Sequence, residues 1–423
     1  MLSNFGFVKV LGFHLFVLIA TFTCLYFIGV IEFIPTNSNI VQWDAGWYSS
    51  IVSEGYVYKK SIQSNTGFFP LFPFLWKISK LSAIGISILN YGVFILGVLL
   101  VKISLPNVKN QTVLLSLSFP SLLFMYVPYS EALFFMSSAL FLYGNYIDSK
   151  KLKIVAILIM SLTRPTIFFF LPAIIFSELM SSASLKSKLI DMLIYTSVIL
   201  LGTSVSFYIV GISSGNFFAY SDSQINNWSH VFSLPQFPLT TWRGYRILWL
   251  DAFGLWIVLS SLAASIIYFV KTVSSKWKVV YDKNMLLSLS YLSMTFIYVL
   301  FFHAKEEKSG LTSILSLNRY VFCSPFFIYL FYYYFSNDKI QINKVLGFGI
   351  VFTVALIGFP FYSMIELSYL KSIVFVFGVM MFFIIQVIPR GKNNIALFLM
   401  VYGVNVFLQV YLFQSFLKGN WIG

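Results

Sequence analysis

From Phe7 to Leu417 one apolar run follows another, and no polar stretch between them is long enough to make a separate water-soluble domain. A helix needs about 20 apolar residues to cross the hydrocarbon of a bilayer, and this chain supplies such runs repeatedly. Composition closes the soluble alternative: 10% of the 423 residues are charged and 59% are hydrophobic, whereas a soluble domain carries roughly 25% charged residues. The expectation is an all-α polytopic membrane protein forming one integral membrane domain. The first run is too long for a signal-peptide core and is read as a retained span. Cys24 and Cys323 lie inside apolar runs, where they pack as small hydrophobes and imply no disulfide framework.

The predicted spans are 7–33, 81–102, 112–126, 131–147, 154–178, 189–211, 248–271, 285–302, 313–335, 345–364, 368–388 and 394–416. The fifth contains Arg164-Pro165. In mid-membrane that pair would leave a buried charge and a broken helix, so the stretch is read as two short passes meeting at Arg164. Basic residues in short loops mark the cytoplasmic side. Counted this way, Lys9, Lys102, Lys109, Lys150, Lys151, Lys153, Lys186, Lys188, Lys271, Lys276, Lys278, Lys283, Lys339, Lys344, Arg390 and Lys392 fall inside, with polar segments 35–80 and 213–247 outside. The net charge of +14 therefore reports orientation among membrane lipids and implies no nucleic-acid partner.

Arginine breaks the pattern. The chain has five, and four of them (Arg164, Arg243, Arg246, Arg319) fall at the outer boundary, where the rule predicts depletion. Guanidinium suits bidentate contact with phosphate in a partly dry site; snorkelling to headgroups is the other reading for Arg243 and Arg246. Two acids share that boundary. Asp44 lies in Gln42-Trp43-Asp44-Ala45-Gly46-Trp47-Tyr48, where a short helix from Asp44 to Glu54 is predicted, with Trp43, Trp47 and Ile51 along one side. Asp44 could cap that helix or serve chemistry, and the aromatics could be an interfacial belt. Glu131 lies between apolar runs in Val127-Pro128-Tyr129-Ser130-Glu131. Two acids and two deep arginines suit a transfer reaction with a carboxylate as general base and cations holding an anionic leaving group.

Trp43-Asp44-x-x-Trp47-Tyr48, Glu54-Gly55-Tyr56, Phe68-Phe69-Pro70-x-x-Pro73, Tyr129-Ser130-Glu131-Ala132-Leu133 and Thr163-Arg164-Pro165-Thr166 together resemble the PIG-V-like mannosyltransferases, polytopic GT-C glycosyltransferases that use lipid-phosphate sugars. The likeness covers roughly the first 180 residues in order and reaches Asn318-Arg319-Tyr320 more faintly. It implies a GT-C-like bundle of about 12 or 13 transmembrane helices, with a catalytic half at 1–188 and a second transmembrane half at 189–423. The implied reaction moves a mannose-like hexose from a polyprenyl-phosphate sugar donor to a glycolipid or glycan acceptor, with inversion. Asp44 would act as base, and Glu131 would orient the sugar or support Asp44. The phosphate would lie near Arg164 and Arg319, and Trp43, Trp47, Tyr48, Glu54, Tyr56, Phe69, Pro70, Tyr129 and Arg243 would complete the substrate site. Asp44 has no second acid two residues away, so no metal and no cofactor is expected.

In segment 213–247, Asn226, Asn227, Trp228, His230, Trp242 and Tyr245 suit either a sugar-binding surface or a wet interfacial loop, with His230 read as a solvated loop histidine. Another class of function, a transporter or flippase of a lipid-linked glycan, also uses intramembrane acids and arginines. The gathering of polar chemistry on one face and the lack of a recognisable inverted repeat favour the enzyme. The expected location is a prokaryotic cytoplasmic membrane, with the endoplasmic reticulum as the alternative.

Overall fold

The apolar runs fold as helices because lipid offers the backbone no hydrogen bonds, and a helix satisfies its N–H and C=O groups within one segment. A computed structural model describes residues 6–60, 62–228, 230–241, 245–275, 281–302, 310–336, 342–357 and 394–423. Among them no strand forms, and the chain is an all-α polytopic integral membrane protein. Among the described residues, six helices carry a segment long and apolar enough to cross a bilayer: α1 (Phe7–Phe27), α4 (Ala83–Ser104), α9 (Leu185–Ser214), α11 (Tyr245–Ser274), α12 (Lys283–Phe301) and α16 (Asn394–Leu417). At 1.5 Å per residue, the 21 residues of α1 reach about 32 Å, the thickness of the hydrocarbon. Phe16, Ile88 and Leu193 stand more than half bare on these helices, as suits side chains facing lipid.

Shorter helices pack alongside them: α5 (Asn110–Leu117), α6 (Glu131–Tyr146), α7 (Lys150–Thr163), α8 (Ile167–Leu179), α13 (Leu317–Phe322), α14 (Phe326–Ser336) and α15 (Ile342–Ile357). Three more, α2 (Asp44–Glu54), α3 (Leu71–Ser79) and α10 (Ala219–Asp222), belong to the polar segments. The expected helix 44–54 forms with those bounds, and the expected break at Arg164-Pro165 separates α7 from α8. Two expected spans are corrected. Segment 112–126 is α5 followed by a 3-10 turn over Pro120–Met125, and 313–335 is α13 and α14 parted before Pro325. Each proline lacks the N–H that would continue the helix and disfavours the α region for the residue before it. Of the span expected at 345–364, α15 covers the part up to Ile357; the one at 368–388 lies outside the described residues.

Consecutive helices joined by short turns run antiparallel, which sorts the turns into two ends. Turns 147–149 and 180–184 lie at one end with the lysines, where Lys283 pairs with Glu178 at 2.5 Å and Lys150 with Asp191 at 2.6 Å. Residues 127–130 and 164–166 lie at the other. The helices between approach closely through small residues: Ser206 of α9 donates to Ser161 O of α7 at 3.1 Å, and a Cβ on Gly202 would stand 2.5 Å from Ser161 Cβ.

Candidate active site

The end opposite the lysine turns gathers the four charges singled out in the sequence. Asp44 opens α2, and the residue before it, Trp43, takes φ 54° and ψ −117°. Ser316, just before the helix that carries Arg319, has φ 63°. A non-glycine residue held in such a region costs about 1 to 3 kcal/mol and persists where the surroundings over-determine it. Here both positions aim a charged side chain. Asp44 does not cap α2: Trp43 holds that position without a side-chain cap bond, and the Asp44 carboxylate turns to Arg319, with Nη2 donating to Oδ2 at 2.7 Å. The Asp44 N–H donates to the Tyr129 hydroxyl at 3.3 Å, and that hydroxyl donates to Gln42 O at 3.2 Å.

Glu131 is the first residue of α6, a position where a helix favours negative charge. The turn before it is clamped by Asn90, whose Nδ2 donates to Val127 O at 2.7 Å and Tyr129 O at 2.8 Å. Pro165 drives Arg164 to extended backbone, φ −152° and ψ 147°, and so ends α7 with the guanidinium beside Glu131. Glu131 Oε1 accepts from both Arg164 and Arg319, while Oε2 has no hydrogen-bond partner among the described residues. Arg319 also lies against two aromatic rings, with Cζ 4.7 Å from the Phe124 centroid and 4.9 Å from that of Tyr129. Two carboxylates and two guanidinia cancel, which is how this much charge tolerates burial.

A cavity of about 170 Å³ opens beside the cluster. Asp44, Arg164 and Arg319 line it with Tyr48, Phe69, Thr166, Tyr298, Ser316 and Tyr320, and Gly67, Phe68, Gln224, Trp228 and His230 form a further part of its wall. Asp44 Oδ1 has no partner among the described residues, and Arg164 has Glu131 alone. Tyr48 bonds Ser130 Oγ at 2.7 Å. Burial pushes its hydroxyl well above the usual phenol range against the opposing pull of Arg164, so it stays neutral.

The remaining predicted residues stand behind or away from this wall. Glu131 is 2% exposed and does not line the cavity, nor does Tyr129. Trp43 meets Trp421 edge-on at 5.2 Å, and Trp47 packs on Phe68 and Trp228. Tyr56 donates to Phe68 O at 3.0 Å, Pro70 is the N-cap residue just before α3, and Glu54 is exposed at the far end of α2. Arg243 lies outside the described residues. His230 departs from its reading as a solvated loop residue, because its Nδ1 bonds Gln224 Oε1 at 2.7 Å at the cavity wall.

Asp251 escaped the sequence reading. Wholly buried on α11, it accepts from Thr241 Oγ1 at 2.7 Å and, through Oδ1, from Asn318 N at 3.1 Å and Nδ2 at 2.7 Å. Asn318 Oδ1 in turn accepts from Ser121 at 2.9 Å, so Asp251 fixes the helix that presents Arg319. The signal was available: Asp251 is an acid inside an apolar run, which marks either function or a specific partner.

No protein-family model, curated protein or solved structure matches this chain.

Proposed function

We propose that this chain is an inverting glycosyltransferase that moves a hexose from a polyprenyl-phosphate donor to a hydroxyl of a glycolipid or glycan. The observation that carries the reading is a cavity, at one end of a membrane bundle, lined by a carboxylate with one oxygen unbonded and a guanidinium with one partner among the described residues. Asp44 Oδ1 accepts the proton of the acceptor hydroxyl as its oxygen bonds the anomeric carbon. The bond from that carbon to the phosphate oxygen breaks, and the electron pair leaves with the polyprenyl phosphate. Arg164 meets the growing negative charge on the phosphate. Arg319 holds Asp44 in position through Nη2 and bonds Glu131 through Nε and Nη2, so the phosphate role falls first to Arg164, with Arg319 beside it in the same wall. The motif likeness to PIG-V-like mannosyltransferases supports the same assignment. Lysines at the opposite end favour an extracytoplasmic or luminal site, and a prokaryotic cytoplasmic membrane is the proposed location.

The test is incorporation of radiolabelled sugar from a panel of polyprenyl-phosphate monosaccharides into membranes holding the protein. One donor is expected to support transfer, and Asp44→Asn is expected to lower it by about 100-fold or more. Wild-type rates from folded Asp44→Asn protein would overturn the reading. Failure of every donor, in membranes that translocate a fluorescent polyprenyl-linked lipid, would point to a carrier instead.

A further inference from the structure

The second polar segment is bonded to the first around residues 64–67. Ser64 and Thr66 bond Ser223 Oγ at 3.4 Å and Ala219 O at 3.3 Å, and Gln224 Nε2 donates to Gly67 O at 3.1 Å. With its amide nitrogen committed to a carbonyl, the Gln224 oxygen accepts the Nδ1–H of His230. Asn65 ties the same turn to α2 by donating to Ser50 Oγ and Gly55 O, both at 3.0 Å. The wall is therefore built from side chains fixed on both sides and does not depend on a free loop.

Trp228 completes it. Its ring packs edge-on against Trp47 at 5.9 Å and Phe68 at 6.0 Å. Yet its Nε1–H, shut off from solvent, has no hydrogen-bond partner among the described residues. A buried donor without an acceptor is destabilising, and a ligand oxygen would remove that penalty. The neighbouring position is a glycine. A Cβ on Gly67 would stand 3.0 Å from Trp228 Nε1 and 3.1 Å from Gln224 Nε2. Both are tighter than ordinary van der Waals contact, so the missing side chain is what lets the indole and the amide close on the Gly67 backbone at the cavity wall. Aromatic rings beside convergent amide, indole and imidazole groups are the chemistry that holds a polyhydroxylated ring.

We propose that Gly67, Gln224, Trp228 and His230 form a carbohydrate subsite, in which a sugar oxygen accepts from Trp228 Nε1 beside Asp44. The inference rests on the glycosyltransferase reading for its role, but the binding itself can be tested without turnover. The sugar is either the hexose of the donor or the ring of the acceptor, which offer the same hydroxyls.

Saturation-transfer NMR on the full chain in nanodiscs, with methyl α-mannoside, methyl α-glucoside and methyl α-galactoside as probes, measures it. At least one hexoside is expected to receive saturation. Trp228→Phe keeps the aromatic packing and removes the N–H, and is expected to weaken binding about fivefold. Gly67→Ala, whose Cβ would crowd Trp228 and Gln224 out of place, is expected to do the same and covers the case in which Trp228→Phe does not fold. Displacement of the hexoside from Asp44→Asn protein by polyprenyl-phosphate mannose would assign the subsite to the donor sugar; persistence would assign it to the acceptor. No transfer to any hexoside, or equal transfer in wild type and both variants, would overturn the subsite. The glycosyltransferase reading would be untouched, because it stands or falls on the radiolabel assay.

Discussion

Asp44 and Glu131 are both carboxylates at the first position of a helix, and both reach Arg319, but their surroundings assign them different work. Asp44 is about one-fifth exposed and has one oxygen toward the cavity; Glu131 is sealed between two guanidinia. Asp44→Asn keeps a side-chain oxygen for Arg319 and is expected to remove transfer while leaving the melting temperature in detergent within a few degrees of wild type. Glu131→Gln removes the shared counter-charge of two buried arginines. Breaking a buried pair in this way costs about 3 to 5 kcal/mol, so that variant is expected to lose folded protein first, measured as monodisperse yield and thermal midpoint. A Glu131→Gln protein as stable as wild type would remove the structural role given to Glu131. The sequence showed that these four residues share one membrane boundary. It did not show that they satisfy one another, with Arg319 Nε and Nη2 donating to Glu131 and Asp44.

At the scale of elements, proline and small residues decide where helices stop and how closely they meet. Pro165 was legible as a break because an arginine preceded it in an apolar run. Pro120 and Pro325 act by the same physics, but only apolar and small residues flank them, and hydropathy alone continued those spans. The α7–α9 contact depends on Gly202, whose missing side chain makes room for Ser161. Gly202→Val overpacks that contact and is expected to cost about 1 to 3 kcal/mol, read as a lower thermal midpoint with the donor KM unchanged, since neither helix segment lines the cavity. Asp251→Ala acts from a distance. It leaves Asn318 N and Nδ2 buried without that acceptor, at about 1 to 3 kcal/mol each, and releases the helix bearing Arg319. Its transfer rate is expected to fall well below that of Gly202→Val protein of equal stability; equal rates would remove the positioning role of Asp251.

Across the whole molecule, charge is divided between two ends. Lysines and their acidic partners close one, and the Asp44–Glu131–Arg164–Arg319 cluster with its cavity closes the other. Cysteines introduced at Lys151 and Phe232, in a Cys24→Ala, Cys323→Ala background, are expected to react with a membrane-impermeant maleimide from the cytoplasmic and the opposite side, respectively. Labelling of both from one side would overturn this orientation. The sequence by itself determined the solvent, the helical class, the extent of α2, the break at Arg164 and the residues worth watching, because hydrophobic runs, proline and four-residue periodicity act over one or two turns of chain. Only the tertiary structure decided which charges neutralise which, that Glu131 stands behind the cavity, and that Gln224 and His230 stand in its wall. Arg319 meets Glu131 across 188 residues and Asp44 across 275. Desolvation of a charge depends on what surrounds it in three dimensions, and residue spacing along the chain carries no record of that.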